Sequence, residues 1–217
     1  VPGSTDSNLG FTGSNRALAP RHAAAVGANA LLVILAAAGF WRAVPESGWL
    51  MVVYYTHLSN AVALVSALLL VVALLRGGVV PGWVRSLRYV ATCMLVLTFL
   101  VSLLVLVPLG SSFVGMFFQG SGLFHHLLCP AVSLISYLVV EDKTTLRRPW
   151  MLMVAVTLSY GLTFLLLNTW NLYLGPYPFL EVHNQSWVET VVWFLVLVGS
   201  AWVVGVALAW SRRAGTR

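Results

Sequence analysis

Of 217 residues, 59% are hydrophobic and 8% are charged, whereas a soluble globular chain carries about 25% charged residues. With a mean hydropathy of +0.90, the composition excludes most water-soluble folds and excludes disorder, leaving a polytopic α-helical membrane protein. The formal charge of +6 does not imply nucleic acid, because the basic residues fall in small groups between apolar runs rather than on one face of a soluble domain.

Residues 1–20 are polar and rich in Gly and Ser and read as a mobile tail. No apolar stretch precedes the first span, so they do not resemble a signal peptide. The expected organisation is a tail over residues 1–21, a six-helix transmembrane domain over 22–210 and a basic tail over 211–217. Within the domain, apolar segments lie at about 23–41, 49–75, 89–109, 122–140, 150–170 and 187–210. Each approaches or exceeds the ~20 residues that cross a bilayer as a helix. Runs such as Leu31–Ala38 and Ala61–Leu75 lack the alternation of barrel strands. Pro45-Glu46-Ser47-Gly48, Gly77-Gly78 with Pro81-Gly82, Gly110-Ser111 and Gly175-Pro176 separate the segments. Segment six opens with Ser186-Trp187-Val188-Glu189, the S-x-x-E pattern of a reciprocal N-terminal cap. Cys93 and Cys129 sit inside apolar runs without CxxC spacing and read as small buried hydrophobes.

Positive charge sets the expected orientation. Arg16, Arg21, Arg76, Arg85, Arg88, Lys143, Arg147, Arg148, Arg212, Arg213 and Arg217 fall in the tails and even-numbered loops, and Arg42 alone falls on the other side. Both termini of this multi-pass protein, and the even-numbered loops, are therefore expected in the cytoplasm.

The side that positive charge avoids holds His57, His125, His126 and His183. Spans two, four and six begin there, so their first turns lie at similar depth. Thr56 comes seven residues after Trp49, about 10 Å along a helix. Thr56, Ser59, Asn60 and Ser66 share a face of span two. His126 stacks over Pro130 and Ser133, His125 over Cys129 and Ser133. Such residues face the bundle, either as interhelical glue or as a site. Intramembrane histidines are functional candidates, whereas His57 and His183 near span ends read as interfacial, like Trp41, Trp49, Trp170, Tyr173 and Trp187. Glu189 reads as a cap, leaving Glu181 as the carboxylate of interest.

A threonine hydroxyl becomes a nucleophile when a base takes its proton, and a neutral histidine can do so. Thr56 with His126 or His125 therefore suits ester hydrolysis or acyl transfer on a lipid entering sideways. Asn60, Ser59 or a span-opening amide would stabilise the oxyanion. A histidine-rich metal site and a non-catalytic lipid-binding or transport path are the other readings. The first lacks HExxH spacing, and the second lacks an evident internal repeat.

Three patterns carry a resemblance. Tyr55-Thr56-His57-Leu58-Ser59-Asn60 resembles the aromatic-Thr-x-x-Ser-Asn signature of a bacterial six-span membrane family, and His125-His126-Leu127-Leu128-Cys129-Pro130 resembles its histidine-before-proline signature. Tyr177-Pro178-Phe179-Leu180-Glu181 resembles the YPFL-acid motif that this family shares with the androgen-induced and androgen-dependent transmembrane hydrolases. In order and spacing the resemblance covers about residues 22–210. It implies a threonine hydrolase of fatty acid esters of hydroxy fatty acids, with no cofactor and no metal. Thr56 would be its nucleophile. Counting back from Pro130, the eukaryotic spacing selects His125 and the bacterial spacing His126, with His126 preferred because its face continues onto Pro130 and Ser133. Leu123 and Phe124 replace the Asn-His pair that precedes the eukaryotic histidine. Tyr55, Ser59, Asn60, Tyr177, Phe179 and Glu181 would contact substrate, with Tyr177 to Glu181 forming a re-entrant or lid-like loop. The partners implied are membrane lipids and an acyl-lipid substrate, not nucleic acid; a homo-oligomer is compatible with this picture.

Overall fold

The computed structural model describes residues 12–77, 79–144 and 146–214. Residues 1–11 of the expected N-terminal tail and 215–217 of the C-terminal one lie outside these. Among the described residues there is no strand, and six helices are long and apolar enough to cross a membrane. This is the architecture of a multi-pass membrane protein, as the composition requires.

Helix α1 spans Thr12–Ser47, beginning inside the segment read as a tail, and a 3₁₀ stretch over Gly48–Val53 follows it. Helix α2 spans Tyr55–Leu75, α3 runs Gly82–Leu106, a short α4 covers Phe113–Phe118, and α5 runs Gly120–Val139. Helices α6, Trp150–Thr169, and α7, Trp187–Ala214, complete the bundle. Two boundaries differ from expectation. Residues 49–53 fall in the 3₁₀ stretch that continues the first span, not in span two, because the chain turns extended at Tyr54 (φ −80°, ψ 130°) before α2 begins. Helix α3 starts at Gly82, seven residues before the expected 89, so Arg85 and Arg88 are helical and not loop residues.

Helix α3 is the axis of the bundle, with 61% of its most apolar window buried against 11% for α6. On one side it packs with α1, α2 and α5 through Leu32, Ala36, Ala63, Ala67, Ala91, Leu95 and Cys129. The alanines leave the backbones close, as small residues do in membrane interfaces. On its other side it meets the α6–α7 hairpin through Cys93, Met94, Leu97, Met153, Ala201, Val204 and Leu208. Both cysteines are buried and free, as expected. Trp41, Trp49, Trp170 and Trp187 are exposed at one end of the bundle, where an aromatic belt belongs.

Contacts between helices identify the two ends. At one, His22 meets Leu74 O, Arg21 meets Val140 O, and Arg88 pairs with Glu141. At the other, Glu46 meets Ser121, His57 meets His125, and Tyr177 meets Thr56. The first is the basic end; the second is the histidine end. Ser186 and Glu189 form the expected reciprocal cap of α7, Ser186 N–H donating to Glu189 Oε2 (2.7 Å) and Glu189 N–H to Ser186 Oγ (3.2 Å).

Candidate functional site

The break at Tyr54 decides where Thr56 lies. Thr56 falls in the first turn of α2, where backbone amides have no helical acceptor. No side chain at Tyr54 caps them. Two tyrosine hydroxyls from distant elements do so instead. Tyr55 N–H donates to Tyr160 Oη (3.1 Å), which itself donates to Val53 O (2.7 Å). Thr56 N–H donates to Tyr177 Oη (3.4 Å), and the same phenol faces the Thr56 side chain. The span-opening amides expected to hold an oxyanion are thus already occupied.

Ser59 and Asn60 are buried as expected, and their hydrogen bonds go to backbone and side-chain groups of the bundle. Ser59 Oγ donates to Thr56 O (2.8 Å) and shares a hydrogen bond with Thr98 Oγ1 (3.0 Å). Asn60 Nδ2 donates to Thr56 O (2.8 Å) and to His125 O (3.2 Å). Both amide protons of Asn60 are therefore used in fixing the backbone of α2 to α5, and its expected role as an oxyanion donor is corrected to that of a strut.

The need for this strut lies in Pro130. Residues Leu123–Leu128 form a π turn, in which Cys129 N–H donates back five residues to Phe124 O. The next donor in that series would be residue 130, and proline has no N–H. The His125 carbonyl is left open, and Asn60 fills it. Helix α3 repeats the device. Ser102–Leu106 is a second π turn, closed by Val107 N–H on Ser102 O (3.0 Å), with Pro108 next in line. Such turns concentrate at functional positions in helices.

The two π turns meet through side chains. Ser102 Oγ and His126 Nδ1 are 2.6 Å apart in a hydrogen bond, and His57 Nδ1 and His125 Nδ1 are paired at 3.0 Å. His125 is fully buried; its Nε2 lies against α1 at Gly39, where any Cβ would collide with the ring. His125 thus pairs through Nδ1 and buries Nε2 against α1 without a hydrogen-bond partner, whereas His126 is held at Nδ1 by Ser102 and lines both the vestibule and the inner cavity.

Three adjoining cavities give the site its form. An outer vestibule of about 620 Å³ is bordered by Glu46, Ser111, Gln119, Ser121 and His126. Inside it, a cavity of about 240 Å³ is lined by Thr56, His57, His125, His126, Tyr54 and Tyr177. Beyond Thr56, Leu106 and Tyr177, a narrow apolar slot of about 50 Å³ runs between α3, α6 and α7 along Leu97, Val101, Phe179, Phe194 and Leu197. Thr56 and the phenol-bearing Tyr177 line both the histidine-lined cavity and the apolar slot, and Thr56 is the aliphatic alcohol of the two. Glu46 clasps the vestibule, its carboxylate accepting from Ser121 N–H (3.1 Å) and Ser121 Oγ (2.5 Å).

No protein-family model, curated protein or solved structure matches the chain. Its chemistry is read from this geometry. Of the residues expected to contact substrate, Tyr55, Tyr177 and Phe179 line the apolar slot. Glu181 does not join them: its carboxylate accepts from Asn184 Nδ2 (2.6 Å) and it lines none of the three cavities. His183 is also remote, its Nε2 bonded to Asn168 O (2.9 Å). Among the described residues, no three His, Cys, Asp or Glu side chains are grouped to hold a metal ion. Sequence reasoning passed over Ser102, Tyr160 and Glu46. Proline six residues after Ser102 and five after His125 was the available signal for the π turns; nothing local marked Tyr160.

Proposed function

We propose that the chain is an intramembrane hydrolase of lipid esters, with Thr56 as nucleophile and His126 as base. The observation that carries this is that Thr56 lines both the histidine-bordered cavity and the apolar slot. An ester arriving from the bilayer would put its acyl chain in the slot and its carbonyl beside Thr56. His126, with Nδ1 held by Ser102, would take the Thr56 proton at Nε2 as Oγ1 bonds to the carbonyl carbon. The same proton then passes to the leaving alkoxide, giving an acyl-threonine and a free alcohol. Water from the vestibule, deprotonated by His126, attacks the acyl-threonine; the fatty acid leaves and Thr56 recovers its proton. The resemblance to the androgen-induced and androgen-dependent hydrolases supports the same assignment. The clustering of basic residues at the opposite end supports a site in the non-cytoplasmic half of the membrane, with both termini inside.

A second reading has its own observation. At 2.6 Å, Ser102 Oγ and His126 Nδ1 already stand as a nucleophile and base. Labelling with a fluorophosphonate followed by peptide mapping separates the two. The reading proposed here expects the adduct on Thr56, lost in Thr56→Ala and kept in Ser102→Ala at reduced rate. An adduct on Ser102 replaces Thr56 as nucleophile, and labelling indifferent to both substitutions ends the hydrolase reading.

A further inference from the structure

The basic end contains a second cavity, remote from the histidines and of a different character. It measures about 220 Å³ and lies among α1, α2, α3 and the chain following α5. At about 30 Å³ per water in the liquid, this is room for several waters or one tetrahedral oxyanion. Its floor is the Arg88 guanidinium, which is 1% exposed and fully engaged: Nη2 donates to Glu141 Oε1 (2.8 Å), Nε to Glu141 Oε2 (3.2 Å) and Nη1 to Ser66 Oγ (3.4 Å).

The cations around this pair are not matched in the same way. Arg85 approaches Asp142 only at 3.9 Å, and its buried Nε has no hydrogen-bond partner. A part-exposed pair at that distance contributes little. Arg21 donates only to the carbonyls of Val140 (3.3 Å) and Glu141 (3.4 Å). Lys143 lies over the Tyr137 ring, 4.2 Å from its centroid, and its Nζ makes no hydrogen bond. Burial pushes the Lys143 pKa down to about 8, with Arg21 adding to the depression against the opposing pull of Glu141 and Asp142. With Glu141 committed to Arg88, Asp142 is the carboxylate left to balance Arg21, Arg85 and Lys143.

We infer that this cavity binds a phosphate-bearing anion between Arg21 and Arg85, supplied either as an anionic phospholipid headgroup or as free phosphate. Guanidinium groups match phosphate oxygens in pairs. Basic pockets between membrane helices take anionic headgroups, and here Leu70, Leu74 and Val80 form an apolar wall suited to the glycerol and first methylenes. The lipid is therefore the expected source.

The test uses the full chain in detergent, titrated with dioctanoyl phosphatidylglycerol, dioctanoyl phosphatidylcholine or inorganic phosphate, and read by thermal unfolding and native mass spectrometry. The expected result is that phosphatidylglycerol raises the unfolding midpoint and is retained in preference to phosphatidylcholine. The Arg21→Gln/Arg85→Gln variant should weaken this binding by about tenfold or more. An equal effect of inorganic phosphate would assign the site to the free anion. If the double variant does not fold, retention by the unaltered chain decides. Equal retention of both lipids with no effect of phosphate overturns the inference, as does undiminished phosphatidylglycerol binding in a folded double variant.

Discussion

Asn60 shows how much one side chain can fix in a membrane helix. Its two N–H groups reach the Thr56 carbonyl and the carbonyl that Pro130 leaves without a donor. An interhelical hydrogen bond in a membrane contributes about 0.6 kcal/mol on average and up to about 1.7. Asn60→Leu should therefore lower stability by about 1–2 kcal/mol, read as a lower thermal midpoint in detergent, and slow fluorophosphonate labelling more than that loss explains. Normal labelling in a folded Asn60→Leu protein would remove Asn60 from the positioning of the site. Gly39 has the complementary role, since it contributes by lacking a side chain. A methyl at Gly39 would enter the His125 ring, whereas one at Gly27 on the same helix would meet nothing within 4 Å. Gly39→Ala should cost about 1–3 kcal/mol through overpacking, while Gly27→Ala should leave the thermal midpoint unchanged or raise it. Equal midpoints for the two would mean that α1 and α5 yield without strain.

At the scale of elements, the six spans were legible because bilayer crossing demands length and apolarity, and both can be counted. The inward polar stripe of α2 was legible for the same reason, since Thr56, Ser59 and Asn60 recur at helical spacing and a buried polar group seeks a partner. What could not be counted was the start of α2. Residues 49–75 hold no glycine or proline that would signal a break at Tyr54; its first amides are satisfied by Tyr160 and Tyr177, more than 100 positions later. The spacing that made His125 and His126 alternatives presupposes an α-helix. In the π turn they instead reach different neighbours, His57 and Ser102, while lining one cavity with Thr56. Pro130→Ala tests the turn itself. It supplies the missing N–H, allowing the turn to relax to α-helix and competing with Asn60 for the local carbonyls. The thermal midpoint should hold or rise while labelling of Thr56 falls by about tenfold or more. If labelling is untouched, the turn does not aim the histidine.

For the molecule as a whole, Arg88 changes meaning. As a loop charge it would serve orientation alone; as a helical residue paired with Glu141 it joins α3 to the end of α5 inside the bundle. Glu141 is also held by Ser136 Oγ (2.7 Å) and by Asn29 Nδ2 (3.0 Å) from α1, so one carboxylate gathers three helices. Burial alone would raise its pKa, but the Arg88 guanidinium and these hydrogen bonds hold it below its ordinary value of 4.5. A carboxylate depressed in the folded state stabilises in full above its unfolded pKa, and that contribution is lost as pH falls through the folded one. The thermal midpoint should therefore hold from neutral pH down to about 4.5 and decline below it. Removing one partner strands the other, so Arg88→Met should cost about 3–5 kcal/mol. Replacing both, as Arg88→Met/Glu141→Leu, should recover most of that loss and flatten the decline below pH 4.5, because the buried carboxylate that takes up the proton is gone. If the double variant is as unstable as Arg88→Met, the pair is not merely a balanced charge. The hydrogen bonds from Asn29, Ser136 and Ser66 would then be what binds the basic end together.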